Sequence, residues 1–138
     1  MVILFDQFNL PEDVYEVIFA TEQQIEVAKL LIAEFKQKNG ELTKSEMSDF
    51  ATRLHDGITV ERVMKIGLST QRKQETLSYN KRQFYDRILT PMKSMGLVDY
   101  DLYKKNYRIS EKFGKIMQKV ASMWNTETGH SALGIKRL

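Results

Sequence analysis

Between Asn80 and Met95 the side chains able to meet a phosphate or a base edge fall on one side of a helix. At 100° per residue, Arg82, Gln83, Asp86, Thr90 and Lys93 gather on one face with Arg87 and Ser94 flanking. Phe84, Ile88, Met92 and Met95 occupy the opposite quadrant, with Tyr85 and Leu89 at its edge. Arg pairs bidentately with guanine, Gln with adenine, and a carboxylate accepts from cytosine. The face thus mixes residue types that pair with base edges and with phosphates. Ser78, Tyr79 and Asn80 stand before the first turn, where side chains and free backbone N–H groups can reach phosphate oxygens. Lys81 within the helix, Arg72 and Lys73 before it, and Lys104 and Lys105 after it add further cations. Each has a plainer reading. Lys81 lies toward the apolar side and can snorkel past the core, Asp86 can simply pair with Arg82 four residues earlier, and Arg108 in a strand can be structural.

No comparable pattern points to catalysis. Phosphate-cradling Gly-rich loops, metal-ligand spacings and nucleophile motifs are absent from the sequence. His55 and His130 are isolated, 75 residues apart. Without cysteine there is no disulfide, thiolate metal site or Cys nucleophile. No enzyme activity, cofactor or metal is expected, and the sequence names no small-molecule effector.

The charge is divided along the chain. Residues 1–68 hold 7 Lys/Arg against 12 Asp/Glu, a net −5, and residues 69–138 hold 14 against 6, a net +8. An acidic front and a basic back suggest an anionic partner for the second half. With 138 residues and 42% apolar content, one core is expected. MVILFDQF lacks a leading basic region and is broken by Asp6, unlike a signal peptide. No run approaches the roughly 18 apolar residues of a membrane span. A soluble cytoplasmic protein with no membrane contact is expected.

The elements that must position these residues follow in order. Residues 1–20 read as an N-terminal arm or short helix: Met1–Asn9 an edge strand or loose arm, then a turn opened by Pro11 with Val14, Val17 and Ile18 on one face. Thr21 with Gln24 resembles a capping box opening a helix over 21–38, with Ile25, Ala28, Leu31, Ile32 and Phe35 as its core stripe and Asn39-Gly40 as its stop. Thr43 and Glu46 repeat the signal, and Met47, Phe50, Ala51 and Leu54 give the buried face of a helix ending near His55. Thr59 is read as the cap of a third short helix with Val60, Val63 and Met64 inward, ending near Gly67. Residues 68–77 are read as loop or exposed helix. Pro91 should kink or end the 80–95 helix, leaving Met92–Met95 as an offset turn before Gly96. Leu97–Tyr100 and Tyr107–Ile109 alternate as two strands around the loop 101–106. Ser110-Glu111 then opens a helix carrying Phe113, Ile116, Met117, Val120 and Trp124. Residues 125–138 are read as a flexible polar tail whose Ile135 and Lys136-Arg137 could dock on a partner.

The run ILTPMKSMGLVDYD…YRISEKFGKIM resembles the helix, Gly-Leu-Val/Ile, wing, strand, Ser/Thr-Glu-Lys-Gly pattern of winged helix-turn-helix regulators, especially small archaeal and bacterial ones. The resemblance covers about residues 43–124. It implies a mainly α (α+β) fold of several helices plus a short two-stranded β-hairpin wing, with the winged domain over 21–124. By position, 78–93 matches the recognition helix, 101–106 the wing and 110–124 the closing helix. The segment 55–77 is too long for the usual turn, which leaves open which helix supports the recognition helix. The implied function is sequence-specific binding of double-stranded DNA, as a transcriptional regulator, with helix 78–95 in the major groove and the wing on the backbone. The resemblance makes Arg82, Gln83 and Asp86 the candidate base-reading residues. It makes Ser78, Tyr79, Lys81, Arg87, Lys93, Lys104 and Lys105 the candidate phosphate-binding residues, with Arg72 and Lys73 secondary. One domain carries one such helix, so a homodimer on paired half-sites is implied, with the 21–38 helix, the closing helix around Met123 and Trp124, and Val14–Phe19 as candidate dimer surfaces. The alternative is a winged helix that binds protein, as a subunit of a transcription or replication assembly. RNA binding would rely on exposed Tyr79, Tyr103 and Tyr107 for stacking.

Overall fold

The computed structural model describes residues 6–129. Capping decides where its first helices begin. Asp13 accepts the Tyr15 N–H and opens α1 (Val14–Ile18), and Thr21 accepts the Gln24 N–H and opens α2 (Glu22–Gln37). Asn39 and Gly40 at positive φ then turn the chain into β1 (Glu41–Thr43). Thr43 ends the strand and caps α3 (Lys44–Asp56) through a complete capping box with Glu46. The Glu46 carboxyl, accepting the Thr43 N–H, is held below the usual carboxylate range.

The segment after α3 departs from the sequence reading. There is neither a third helix over 59–67 nor a loop or helix over 68–77. A long antiparallel hairpin forms instead, β2 (Ile58–Ile66) paired with β3 (Ser69–Leu77) from Ile58↔Leu77 to Ile66↔Ser69. Gly67 at φ +61, followed by Leu68 without positive φ, supplies the two-residue Gly-X turn favoured between twisted strands. The apparent helical spacing of Val60, Val63 and Met64 was outweighed by β-branched residues and this turn. Val60 packs inward, whereas Val63 and Met64 are exposed, against expectation.

The expected 80–95 helix is one rod of three turn types: α4 (Lys81–Phe84), a π-turn (Tyr85–Leu89) and α5 (Thr90–Ser94). Pro91 has no N–H to donate back. The rod answers by widening its middle turn, with the Thr90 N–H donating to the Tyr85 carbonyl, five residues back. Pro91 then falls in the first turn of α5, where a missing donor costs little. The wider turn brings Leu89 from the edge of the apolar face into the core.

After Gly96, β4 (Val98–Asp101) and β5 (Asn106–Ile109) form a hairpin, and β1 joins it in the order β1-β5-β4, all antiparallel. The sequence reading missed β1, which is three residues long and merges into a helix cap. The core lies between this sheet, α2, α3 and the rod: Leu31, Phe35, Leu42, Met47, Phe50, Leu54, Phe84, Ile88, Met92 and Val98 are fully buried, with the Phe50 and Phe84 rings 5.5 Å apart.

Helix α6 (Lys112–Glu127) passes the expected boundary at 124, so residues 125–127 are helical and not tail. It buries none of its residues, and Ile116, Val120, Met123 and Trp124 form an exposed stripe. At the other end, residues 6–9 make a turn in which Asp6 accepts the N–H groups of Phe8 and Asn9. The expected strand or arm over residues 1–5, His130, and the docking role of Ile135, Lys136 and Arg137 lie outside the described residues. Among the described residues no helix is long and apolar enough to cross a membrane.

Candidate nucleic-acid interface

The outer side of the rod carries the expected polar row. Arg82, Gln83, Asp86, Arg87, Thr90, Lys93 and Ser94 are all exposed, while Phe84, Ile88, Leu89 and Met92 anchor the opposite side. Arg82 Nε lies 3.9 Å from Asp86 Oδ2, both side chains mostly in solvent. So open a pair contributes at most a few tenths of a kcal/mol, and a base edge can displace it. Arg87 makes no ion pair among the described residues. Lys93 reaches back instead of outward: its ammonium lies 5.9 Å from the ring centroids of both Tyr100 and Tyr107, tying the rod to the β4–β5 hairpin.

The start of the rod is more enclosed than expected. Asn80 caps it by accepting the Gln83 N–H. Tyr79 is 6% exposed and its N–H donates to the Leu54 carbonyl, so the expected phosphate contact from Tyr79 is not available. The Ser78 hydroxyl already donates to the His55 carbonyl at 2.9 Å, and the Lys81 N–H donates to His55 Nδ1. Both are bonds that lock the rod onto the end of α3. His55 is thus a positioning group that its isolation in the sequence did not suggest. Lys81 Nζ donates to the hydroxyls of Ser48 and Thr52 on α3.

These bonds make α3 the helix that supports the rod. They also lead to a groove that the sequence reading did not find. Lys104 and Lys105, in the β4–β5 turn, face Thr43, Lys44, Ser45 and Ser48 on the first turns of α3 across an open groove of about 500 Å³. The Lys44 N–H donates to the Lys105 carbonyl at 3.0 Å, and Asp101 shapes the turn by accepting the N–H groups of Tyr103 and Lys104. Those donors, the Lys104 N–H first, hold the Asp101 carboxyl below the ordinary carboxylate range. Three lysines and two serines line the groove with no acid among them, a composition that suits an anion. Lys44, Ser45 and Ser48 escaped notice because only the β1–β5 pairing, invisible in a three-residue strand, brings them to the turn.

The secondary candidates Arg72 and Lys73 sit on β3, and Arg108 on β5 is exposed. Of the three tyrosines considered for stacking, Tyr79 and Tyr107 are buried, and burial pushes the Tyr107 hydroxyl up in pKa; Tyr103 alone is open. The described residues hold no group of three His, Cys, Asp or Glu placed for a metal. Comparison with protein families, with curated proteins and with solved structures finds no match for this chain.

Proposed function

We propose that this protein is a winged helix-turn-helix regulator that binds double-stranded DNA, with the rod over 81–94 in the major groove and the β4–β5 turn as the wing on the backbone. The observation that carries the reading is the continuity of one basic and polar surface. It runs from Arg82, Gln83 and Arg87 on the rod, through Lys81 on Ser48, to the groove of Lys44, Lys104 and Lys105. The order α2, β1, α3, rod and β4–β5 hairpin, with β1 paired beside β5, supports the same fold once the β2–β3 hairpin inserted between α3 and the rod is set aside. Bases are read by Arg82 and Gln83, with Asp86 released from Arg82 to accept from cytosine. Phosphates are held by Lys44, Arg87, Lys104 and Lys105. The exposed stripe of α6 is the surface for a second copy, which would present two rods to paired half-sites.

The same stripe favours the second reading, a subunit that binds another protein through α6. One experiment separates them: labelled duplex DNA titrated at two salt concentrations, with sedimentation of the protein alone. Salt-dependent duplex binding by a dimer is expected. A protein that binds no duplex even at low salt sinks the DNA reading and leaves the protein-binding one.

A further inference from the structure

The β2–β3 hairpin is unlike the rest of the surface. At about 3.3 Å per residue its nine-residue strands span roughly 30 Å, and its two halves differ in kind. The basal half packs down. Ile58, Val60 and Leu77 join the core, and Arg62 is 2.8 Å from Glu26 on α2. Arg62 Nε also lies 2.6 Å from Glu75, an ion pair without a hydrogen bond's alignment. The distal half, residues 63–73, is exposed throughout. It holds Lys65, Arg72 and Lys73, the donors Ser69, Thr70 and Gln71, and the exposed apolar Val63, Met64, Ile66 and Leu68, with Leu68 fully exposed at the turn.

No acidic residue lies between Val63 and Lys73; the hairpin's two acids, Glu61 and Glu75, both sit in the basal half. The arm leaves the body between Gly57 and Ser78. Its base is therefore at the junction where Ser78 and Lys81 bond to His55 and the rod begins.

We propose that the β2–β3 arm is a second DNA-binding element, a two-stranded ribbon that enters a groove of the same duplex as the rod and sets Leu68 against the bases. This rests on the DNA reading given above. The charge distribution selects the occupant. Lys65 makes no ion pair among the described residues, and Arg72 and Lys73 make only long, exposed ones, 3.6 Å to Glu61 and 3.9 Å to Glu75, so all three can turn to a polyanion, whereas docking the same tip onto a second copy of itself would oppose cation to cation. The dimensions agree, since a two-stranded ribbon fits a DNA groove. Lys65 and Arg72 meet phosphates along the groove walls, and Ser69, Thr70 and Gln71 offer hydrogen bonds within it. An apolar side chain at such a tip unstacks a base step and bends the duplex. Arm and rod diverge from one junction, so together they cover a longer stretch of DNA than the rod alone.

The test uses the full chain and three variants: Lys65→Gln with Arg72→Gln, Leu68→Ala, and a shortened arm in which Asn-Gly replaces residues 63–72 across the Arg62–Lys73 pair. Each is titrated on duplex DNA at several salt concentrations, footprinted, and scored for bending by energy transfer between labelled duplex ends. The double charge variant should flatten the salt dependence by about two units of slope. The shortened arm should also shorten the footprint, and Leu68→Ala should keep the slope and lose the bend. Lys65, Leu68 and Arg72, like all of residues 63–72, are exposed, so these readouts do not depend on refolding the core.

If the unaltered protein binds duplex and the shortened arm leaves slope, footprint and bend unchanged, the arm proposal falls and the DNA reading stands. If the unaltered protein binds no duplex, both fall. If shortening the arm turns a dimer into a monomer in sedimentation without DNA, the arm is a contact between copies and the proposal is overturned.

Discussion

The Lys44 N–H and the Lys105 carbonyl meet at 3.0 Å, joining the first turn of α3 to the tip of the β4–β5 turn. Two segments some sixty residues apart in sequence thereby present their lysines to one groove. The bond uses backbone only, so the Lys44, Lys104 and Lys105 ammonium groups stay free for a ligand. It also holds the turn where its cations share a surface with those of the rod.

The first prediction tests that shared surface. Lys104→Ala with Lys105→Ala should weaken binding to every duplex alike and flatten the salt dependence by about two units of slope. Adding Lys44→Ala should remove about one more. An unchanged slope in the double variant takes the turn out of the DNA interface.

Arg82 should behave differently. Its side chain faces solvent with only a long contact to Asp86, so Arg82→Ala should leave the fold's stability within about 0.5 kcal/mol. Its cost should fall on discrimination, roughly 1–3 kcal/mol between preferred and altered sites. Equal losses on all duplexes would make Arg82 a phosphate contact only.

Acid should loosen the parts that build the groove. Glu46 and Asp101 are both held below their usual pKa in the folded state by backbone N–H donors. Groups of this kind stabilise the fold in full above their unfolded pKa, and the contribution is lost as pH falls through the depressed folded values. Melting temperature should therefore hold steady down to about pH 5 and decline below it. In Glu46→Gln and Asp101→Asn the decline should be shallower, although both variants start less stable or equal at neutral pH. An identical acid slope in all three proteins would show that neither carboxyl contributes.

These residues also mark what the sequence disclosed. The helices α2 and α3, the rod and the β4–β5 hairpin were legible because each carries a local signal: a cap, an apolar stripe or a Gly stop. Arg82, Gln83 and Arg87 could be placed on the outer face because helical periodicity fixes a face without tertiary information. The groove was not legible, because it depends on β1, whose three residues carry no periodicity and whose partner strand lies far along the chain. Tyr79 was misjudged for a related reason: nothing local says that Leu54 waits to accept its N–H. The arm was the clearest misreading. ITVERVMKI, Gly-Leu and STQRKQETL are two strands around a two-residue turn, a hairpin signature masked by apolar residues that also fit a helix.

Gly57 offers the last prediction, because the arm's base turns on it. Its φ is +114, and an added Cβ would lie 2.8 Å from Thr76 Cγ2, on a short branched side chain of β3. Gly57→Ala thus meets two separate penalties, an unfavourable backbone region and a steric clash. Together they should cost about 2–3 kcal/mol in urea unfolding. Thr76→Ala in the same chain removes the clash and leaves the backbone cost, so the double variant should recover part of the loss and no more. Full recovery would mean that the backbone there adapts freely. No loss in Gly57→Ala would mean that the arm does not leave α3 by this turn, and its position beside the start of the rod would have to be redrawn.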